Sequence, residues 1–405
     1  MVGRENAMEA ERALECLLSY ITPVSETEEI WITSAQDRIT AEDIYATHDQ
    51  PPFPRSPLDG YAVRSADVAG ADKEHPVTLR VIGEADAGHK SDRTVRAGEA
   101  LRIMTGAPVP EGADCVIRQE MTDYGEDMVT IYTSEEAYGN YCFAGEDYKK
   151  GDLLIPAGNR IRATEIGILA GLGLPRVRVR RRARILLLST GDELVEPGEE
   201  LAEGKIYDSN LYLLRAELEH WGAEVRGVRI IRDDAAICAA YISEHFGDAD
   251  LMISTGGVSV GKKDIMHETL DRIGATKLFQ KVAIKPGSPF LAGLYRGRLL
   301  LCLTGNPFGM FVALQQIIRP LYVTLTGRED LRREKKQAVI KDGFEKKSPM
   351  RRFVRAYYEN GEVSLRQLAN GNGVLSTLSL CNCLMELPAG TGALTGGETV
   401  WVHPF

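Results

Sequence analysis

The chain lacks any long apolar run. In 405 residues no uninterrupted apolar stretch approaches the roughly 18 residues that mark a membrane-spanning helix. The N-terminal sequence MVGRENAMEAERALECLL also lacks the continuous apolar segment of a secretory signal. We therefore expect no membrane partner and a cytoplasmic location.

Cysteine is sparse, scattered and odd in number, with seven residues at positions 16, 115, 142, 238, 302, 381 and 383. A disulfide framework belongs to short secreted chains with paired cysteines, so free thiols are expected here. Cys381 and Cys383 are the one close pair, and they lack the two-residue spacing and the second half of a zinc site.

An excess of positive charge is also missing. The chain has 48 Lys and Arg against 58 Asp and Glu, and the resulting net charge of −10 argues against general nucleic-acid binding. Arginines cluster locally between residues 176 and 184. We interpret that cluster as a solvated linker or a strand edge.

The length and the pattern of short segments indicate several domains. A chain of 405 residues, 44% apolar and 26% charged, is globular and predicts two to four domains. Residues 6–21 have the periodicity of an amphipathic helix. Residues 77–131 alternate short β-type runs with Gly and Pro turns, which predicts a small β-rich domain. Residues 163–172 predict a short helix.

From residue 185 to 325 the pattern becomes a regular alternation of strands and helices. Strands are predicted at 185–188, 225–231, 250–254, 281–284 and 299–303, and helices at 209–221, 234–246, 264–273 and 307–324. This alternation is typical of a parallel sheet covered by helices. After residue 328, short strands at 337–340, 352–358, 362–366, 384–387 and 399–402 fit a small β-barrel or sandwich.

Three of the predicted strands end in small-residue loops: STGDE (189–193), TGGVSVG (255–261) and TGNP (304–307). Such loops at the carboxyl ends of strands are where α/β proteins bind anions, since backbone N–H groups are free at the start of the following helix. Carboxylates in or just after two of the loops suggest a hard cation such as Mg²⁺ beside the anion.

Each of these residues also has a simpler interpretation. Asp264 is either a metal ligand or a helix N-cap, and Glu193 either a cation ligand or a first-turn carboxylate. The TGGVSVG loop is either a phosphate site or a tight turn, because no Gly-Lys-Ser/Thr follows it. Lys281 and Lys285 suit an anionic substrate, although a lone lysine is usually a surface residue. Asp59 is either an Asx-turn residue or a presented carboxylate.

Considered together and in order, six motifs resemble those of the molybdopterin molybdenumtransferases, the MoeA type that includes the gephyrin E domain. The resemblance extends from about residue 8 to the C-terminus. The motifs are PPF (51–53) with DGYA (59–62), MTGAPVP (104–110), STGDEL (189–194), GGVSVG (256–261) followed by Asp264, KPG (285–287) and GNP (305–307).

The resemblance implies a multidomain protein of α/β and β classes. Its central domain would be a MogA-like parallel α/β domain at residues 181–327, which binds molybdopterin. A β-rich domain at 51–146 would be inserted into an N-terminal helix and linking domain, residues 1–50 plus 147–180. A C-terminal β-barrel-like domain would occupy 328–405.

The resemblance also implies the last step of molybdenum cofactor biosynthesis. A molybdenumtransferase of this type inserts molybdenum from molybdate into adenylylated molybdopterin and releases AMP with the help of Mg²⁺. The positions that match its catalytic residues are Asp59, Thr105, Asp147, Glu193 and Asp264, of which Glu193 and Asp264 would hold the metal. The positions that match its substrate contacts are Gly256, Gly257, Ser259, Lys281, Lys285, Ser288, Asn306 and Pro307.

The family's quaternary structure implies a homodimer in which the β-rich domain of one subunit completes the site of the other. Asp59 would then act in trans. The adenylyltransferase that makes the substrate and the molybdoenzymes that accept the product are further candidate partners.

Two departures from the family pattern stand out. Pro54 occupies a position that is commonly acidic, and Thr304 replaces the proline of the usual LPGNP. Loss of that proline is expected to loosen a loop near the molybdate site. It could therefore change the preference of the enzyme for molybdate over tungstate.

Two other functions are compatible with parts of the sequence. A molybdopterin adenylyltransferase resembles only residues 185–325. A non-catalytic scaffold, or a tungstate-specialised paralogue, would keep the whole fold. The intact Asp59, Glu193 and Asp264 favour the enzyme.

Overall fold

The computed structural model describes residues 7–258, 265–365 and 371–405. The chain forms two compact units. The larger unit comprises Met1–Ala41, Arg160–Arg162 and Arg176–Phe405, and the smaller unit comprises Glu42–Asn159 and Ala163–Pro175. The finer division into four domains stays a prediction.

Each α-helix of the described residues is short, with between 7 and 11 residues. The α-helices are α1 Ala10–Leu18, α2 Ala163–Gly171, α3 Asn210–His220, α4 Ala235–His245, α5 Ile265–Arg272, α6 Pro307–Ala313 and α7 Arg319–Thr326. A π-helical segment, Leu314–Ile318, joins α6 to α7. Short 3-10 helices occupy Ile32–Ser34, Ser65–Asp67, Gln119–Met121, Glu329–Leu331 and Ser376–Leu380.

The strands alternate with these helices in the middle of the chain and follow one another directly at both ends. They are β1 Thr27–Trp31, β2 Ile44–Tyr45, β3 Gly60–Val63, β4 Val77–Ala85, β5 Glu99–Ile103, β6 Cys115–Arg118, β7 Met128–Ile131, β8 Leu153–Ile155, β9 Arg176–Arg180, β10 Arg184–Thr190, β11 Leu194–Val195, β12 Ile206–Tyr207, β13 Glu224–Ile231, β14 Leu251–Thr255, β15 Thr276–Lys281, β16 Ile284–Lys285, β17 Pro289–Tyr295, β18 Arg298–Leu303, β19 Lys336–Ile340, β20 Arg351–Glu359, β21 Glu362–Ser364, β22 Cys383–Leu387 and β23 Thr399–Pro404.

The main sheet of the larger unit has the strand order β13-β10-β14-β18-β17-β15. The first four strands are parallel, as predicted. The parallel prediction does not extend to β17, which is antiparallel to both of its neighbours. The strand predicted at 281–284 is also corrected, since β15 ends at Lys281 and β16 leaves the sheet.

Two apolar clusters lie on opposite faces of this sheet. On one face α1, α3 and the helix from α6 to α7 pack against alternate residues of β10 and β14. On the other face α4 and α5 pack against the intervening residues. Asp234 starts α4 by accepting hydrogen bonds from the N–H groups of Ala236 and Ile237. Gly327, with φ 76°, ends α7.

The final strands of the chain close into a barrel, which confirms the barrel-like prediction. The strand order is β20-β21-β19-β23-β22, and β22 pairs again with β20. Its interior is an apolar cluster of its own. Strand β16 pairs in parallel with the start of β20, where Ile284 and Lys285 are opposite Arg351 and Arg352.

A buried ion network lies at this edge of the barrel. Glu386, 5% exposed, accepts hydrogen bonds from Arg351 Nε at 2.6 Å and from His403 Nε2 at 2.7 Å. Arg351 also pairs with Glu11 of α1. Burial alone would raise the pKa of Glu386, but the hydrogen bonds from His403 and Arg351 outweigh it and lower the pKa from 4.5 to about 2.

The smaller unit is β-rich, as predicted. Its main sheet has the order β6-β3-β5-β4-β7, and apolar side chains cover both faces. Strand β3 is the second strand of this sheet and lies between β5 and β6. The pair β2 and β8 and the helix α2 complete the unit.

The cysteines and the long apolar helix agree with the sequence predictions. The seven cysteines, all within the described residues, form no disulfide, and four of them are buried. The segment Pro307–Thr326 has the length and a mean hydropathy of 1.3 that would suit a membrane span, but 83% of its most apolar 18-residue window is buried inside the protein. It is a core helix of the larger unit.

Candidate active site

A cleft opens at the carboxyl ends of β10, β14 and β18 and encloses about 790 Å³. The three small-residue loops singled out from the sequence all contribute to it, together with β12, the start of α3 and one barrel residue. The described lining residues are Ser189, Thr190, Gly191, Glu193, Leu194, Ile206, Tyr207, Asp208, Ser209, Asn210, Asp233, Thr255, Gly256, Gly257, Val258, Pro289, Thr304, Gly305, Asn306, Pro307 and Gly373.

Gly256 and Gly257 are required by close packing as well as by backbone conformation. Their φ angles are 91° and 63°, in the region that favours glycine. A Cβ on Gly256 would lie 2.1 Å from the carbonyl oxygen of Thr190, and one on Gly257 would lie 2.8 Å from Thr190 Oγ1. The glycines therefore let two strand ends approach closely while the loop lines the cleft.

The TGNP loop is fixed by the side chain of Thr304. Its Oγ1 accepts a hydrogen bond from the N–H of Asn306 at 3.3 Å, and its carbonyl accepts one from Thr255 Oγ1 at 3.1 Å. Pro307 follows at the first position of α6, where its missing N–H has no consequence. The threonine hydroxyl thus supplies a local restraint where the family's proline would act through its ring.

Glu193 lines the cleft from the segment that links β10 to β12. Its carboxylate folds back over Gly191, where a Cβ would lie 2.9 Å from Glu193 Oε2. Lys205 Nζ donates to the carbonyl of Asp192 at 2.5 Å and ties the two ends of this segment together. Glu193 is exposed, so its carboxylate is available to a ligand in the cleft.

Sequence reasoning missed several polar residues of the cleft, among them Asp208, Asn210 and Asp233. Asp233 lies two residues after the end of β13 and so fits the pattern that identified Glu193, a carboxylate shortly after a strand. Asp208 and Asn210 are buried, 3% and 6% exposed, and the sequence signal there was read only as the start of a helix. Within the described parts of the chain, no group of three or more His, Cys, Asp or Glu is arranged to hold a metal.

The predicted ligands Lys281, Lys285 and Ser288 do not line this cleft among the described residues. Lys281 ends β15, and its carbonyl accepts from the N–H of Met8. Ser288 accepts through its carbonyl from the N–H of Val282. Their roles as substrate ligands stay predictions.

Lys285 contributes to a second, smaller cavity between the α/β domain and the barrel. That cavity also contains Lys346 and Arg352, and no carboxylate is among its described lining residues. Phe308 lines it as well, and its N–H donates to the carbonyl of Asn372 at 3.1 Å. Three cations therefore face one small space near the first turn of α6.

Asp59 and Thr105, predicted as a pair, lie together in the smaller unit. Asp59 Oδ1 accepts hydrogen bonds from the hydroxyl and from the N–H of Thr105, each at 2.7 Å. These bonds lower the pKa of Asp59 below its ordinary value, the hydroxyl contributing most. Asp147 is exposed in the same unit, and its N–H donates to the carbonyl of Gln50 at 2.9 Å.

Ser259 and Asp264 lie outside the described residues. The described neighbours of that segment are Gly257, whose carbonyl accepts from the N–H of Met266, and α5, which begins at Ile265. The predicted metal ligand Asp264 and the predicted substrate contact Ser259 stay predictions.

Three protein-family profiles cover nearly the whole chain. Residues 8–173 match the MoeA N-terminal region (domain I and II), residues 186–323 match the probable molybdopterin binding domain, and residues 337–405 match the MoeA C-terminal region (domain IV). The middle match contains every described lining residue of the cleft except Gly373.

Curated relatives and solved structures agree with these matches. The molybdopterin molybdenumtransferase of Haemophilus influenzae is 34% identical over 402 residues, 98% of each chain. That of Staphylococcus aureus (strain COL) is 35% identical over 367 residues, 90% of this chain and 88% of the relative. A crystal structure of the molybdopterin biosynthesis MoeA protein from Pyrococcus horikoshii is 30% identical and has a TM-score of 0.85, covering 98% of this chain and 99% of that one.

Proposed function

Since the chain belongs to the MoeA family and is a molybdopterin molybdenumtransferase of molybdenum cofactor biosynthesis, we propose that it inserts molybdenum from molybdate into adenylylated molybdopterin and releases AMP in a Mg²⁺-dependent reaction. Molybdate and molybdopterin follow from the family. The adenylylated form of the substrate, the cation and the release of AMP are the steps that we infer.

The observation that carries this proposal is the cleft at the carboxyl ends of β10, β14 and β18. Its glycine loop lets the backbone approach an anionic ligand closely, which suits the phosphate groups of adenylylated molybdopterin. Gly256, Gly257, Asn306 and Pro307 of the predicted contact set all line it. The cleft, about 790 Å³, is large enough for a ligand with several rings.

The donors in the cleft fit Mg²⁺. Carboxylates and hydroxyls line it, and neither a thiol nor an imidazole is among its described lining residues. Oxygen ligands of this kind are what Mg²⁺ prefers. Glu193 and Asp264 would hold the cation, and the bound ion would neutralise charge on the phosphates as AMP leaves.

The cavity around Lys285 supports a site for molybdate. A tetrahedral oxyanion is bound well by several cationic donors around one space, and Lys285, Lys346 and Arg352 all line this cavity. No carboxylate among the described lining residues would repel it. On this proposal the organic substrate binds in the large cleft, and the metal oxyanion binds in the smaller cavity around Lys285.

The proposed quaternary structure is a homodimer with shared sites. Asp59 is held by two hydrogen bonds from Thr105, which keeps it ionised and fixes its orientation. A carboxylate with a fixed orientation suits a residue of one subunit that contacts the substrate bound to the other subunit. We infer a cytoplasmic enzyme that receives its substrate from an adenylyltransferase and delivers the product to molybdoenzymes.

The proposal is tested by following AMP release from adenylylated molybdopterin with and without molybdate and Mg²⁺. Wild-type protein should release AMP only with both, and Glu193→Ala should lower the rate by at least a hundredfold while the protein stays folded. Glu200→Ala, an exposed carboxylate on the same segment outside the cleft lining, is the matched control. Equal rates in the two variants would contradict the role of Glu193.

A further inference from the structure

The floor of the cleft, formed by the end of β10 and the start of α3, contains three buried oxygen atoms. These atoms have no hydrogen-bond partner among the described residues. They are Asp208 Oδ2, Asn210 Oδ1 and Thr190 Oγ1, here called the acceptor floor. The three side chains are 3%, 6% and 2% exposed. Leaving one such atom buried and unpaired costs about 1–3 kcal/mol, so a set of three in one cleft indicates a ligand that pairs with them.

The hydrogen bonds around the floor determine which of its atoms are left without a partner in the protein. Asp208 Oδ1 accepts from the N–H of Leu211 at 3.0 Å, which leaves Oδ2 for a ligand. Asn210 Nδ2 donates to Gly305 O at 2.8 Å and to Thr255 Oγ1 at 3.0 Å. Since a carbonyl oxygen can only accept, the amide nitrogen of Asn210 must point towards it, and its Oδ1 is left as an acceptor.

The chemistry of the floor excludes some parts of the substrate. A carboxylate and an amide oxygen repel phosphate, so the anionic groups of the substrate belong elsewhere in the cleft. The complement of closely spaced acceptors is a group with adjacent N–H donors, because two parallel hydrogen bonds to an ionised acceptor are strong and directional. The pyrimidinone ring of a pterin has such an edge, formed by its 2-amino group and its ring N3–H.

We propose that the acceptor floor binds the 2-amino and N3–H edge of the substrate's pterin, with Asp208 as the principal ligand and Asn210 and Thr190 beside it. This inference rests on the proposed function and assigns a subsite within it. It makes Asp208 a determinant of specificity for aminopteridines over dioxopteridines. The segment from β12 to α3 thereby selects the heterocycle, while the glycine loop contacts the phosphate.

The test uses two fluorescent probes, pterin and lumazine, which differ in that lumazine has a carbonyl in place of the 2-amino group. Titration of the full-length protein should show that pterin binds at least tenfold more tightly than lumazine. Asp208→Asn keeps the oxygen that accepts from Leu211 and should lower the affinity for pterin by about tenfold to a hundredfold, with little effect on lumazine. Equal affinity of the wild-type protein for both probes would overturn the proposal without any variant.

Two controls distinguish a pterin site from a nonspecific effect of the substitution and from a cation site. Asp234→Asn changes a carboxylate outside the cleft that only caps α4, and it should leave both affinities unchanged. Mn²⁺ binding, followed by electron paramagnetic resonance, should be equal in wild type and Asp208→Asn. Loss of Mn²⁺ binding in Asp208→Asn with an unchanged preference for pterin would show that the floor is a cation site, and would overturn the proposal.

The AMP-release assay and the probe titration together distinguish this inference from the proposed function. AMP release from adenylylated molybdopterin by the wild-type protein tests the transferase reaction, whichever way the pterin is oriented. AMP release without a preference for pterin over lumazine would overturn the subsite alone. Absence of AMP release despite a clear preference for pterin that Asp208→Asn removes would support the subsite and contradict the proposed reaction.

Discussion

Substitution of Gly256 by alanine is the sharpest structural test of how the cleft is built. The new Cβ would lie 2.1 Å from the carbonyl oxygen of Thr190, more than 1 Å inside ordinary contact, and the residue would keep a φ of 91° that alanine rarely adopts. Strain at such a φ and overpacking each cost about 1–3 kcal/mol. We expect the free energy of unfolding to fall by about 3–5 kcal/mol.

Gly305 provides the matched control for this substitution. It lies at the end of the neighbouring strand in the same cleft, and a Cβ there would meet nothing nearer than Gly256 Cα at 3.5 Å, an ordinary contact. Gly305→Ala should therefore change stability by less than about 1 kcal/mol. Urea denaturation of both variants measures the difference.

The result that would refute the reasoning is equal stability of the two variants. It would mean that the loop can move away from Thr190 at little cost, so that close packing of the strand ends does not fix the shape of the cleft. Gly256→Ala should also impair AMP release even under conditions where the protein remains folded, because the loop would have to shift within the site.

Three further predictions follow from particular contacts. Inactive Asp59→Ala and Glu193→Ala proteins, mixed and reassembled as dimers, should regain activity if the site is shared, whereas continued inactivity would contradict action in trans. Glu386→Gln should lose about 3 kcal/mol of stability at pH 7, stability that the wild-type protein itself loses as the pH falls from 4.5 towards 2; pH-independent denaturation midpoints would contradict this. Thr304→Val should cost about 1 kcal/mol by removing the acceptor for the N–H of Asn306, and an unchanged melting temperature would count against that bond.

The sequence predicts the framework of the larger unit well because its signals there are strong. The runs that become β10, β14 and β18 are continuous and apolar, as strands buried on both faces must be. Strand β17 was missed because Pro289 and Gly293 weaken its strand signal and its antiparallel direction breaks the strand–helix alternation. Strand β3 was missed because Pro57 to Asp59 and the first residue of the strand, Gly60, were interpreted as a loop.

The site was predicted in outline, and its buried polar part was not. The exposed or glycine-rich positions Glu193, Gly256 and Pro307 stand out by motif, and all of them line the cleft. Asp208 and Asn210 do not stand out, since a polar residue before a helix is usually a cap. Only the three-dimensional contacts reveal that each has one atom engaged in the protein and another left for a ligand.

The measurement that tests the central claim most directly is molybdenum insertion itself. Purified protein, adenylylated molybdopterin, Mg²⁺ and low molybdate would be combined, and active cofactor would be detected by reconstitution of a molybdoenzyme that lacks it, with tungstate in a parallel reaction. Cofactor formation that requires molybdate and Mg²⁺ and accompanies AMP release one for one is the predicted result. Tight substrate binding without cofactor formation, or AMP release that leaves molybdopterin free of metal, would contradict it.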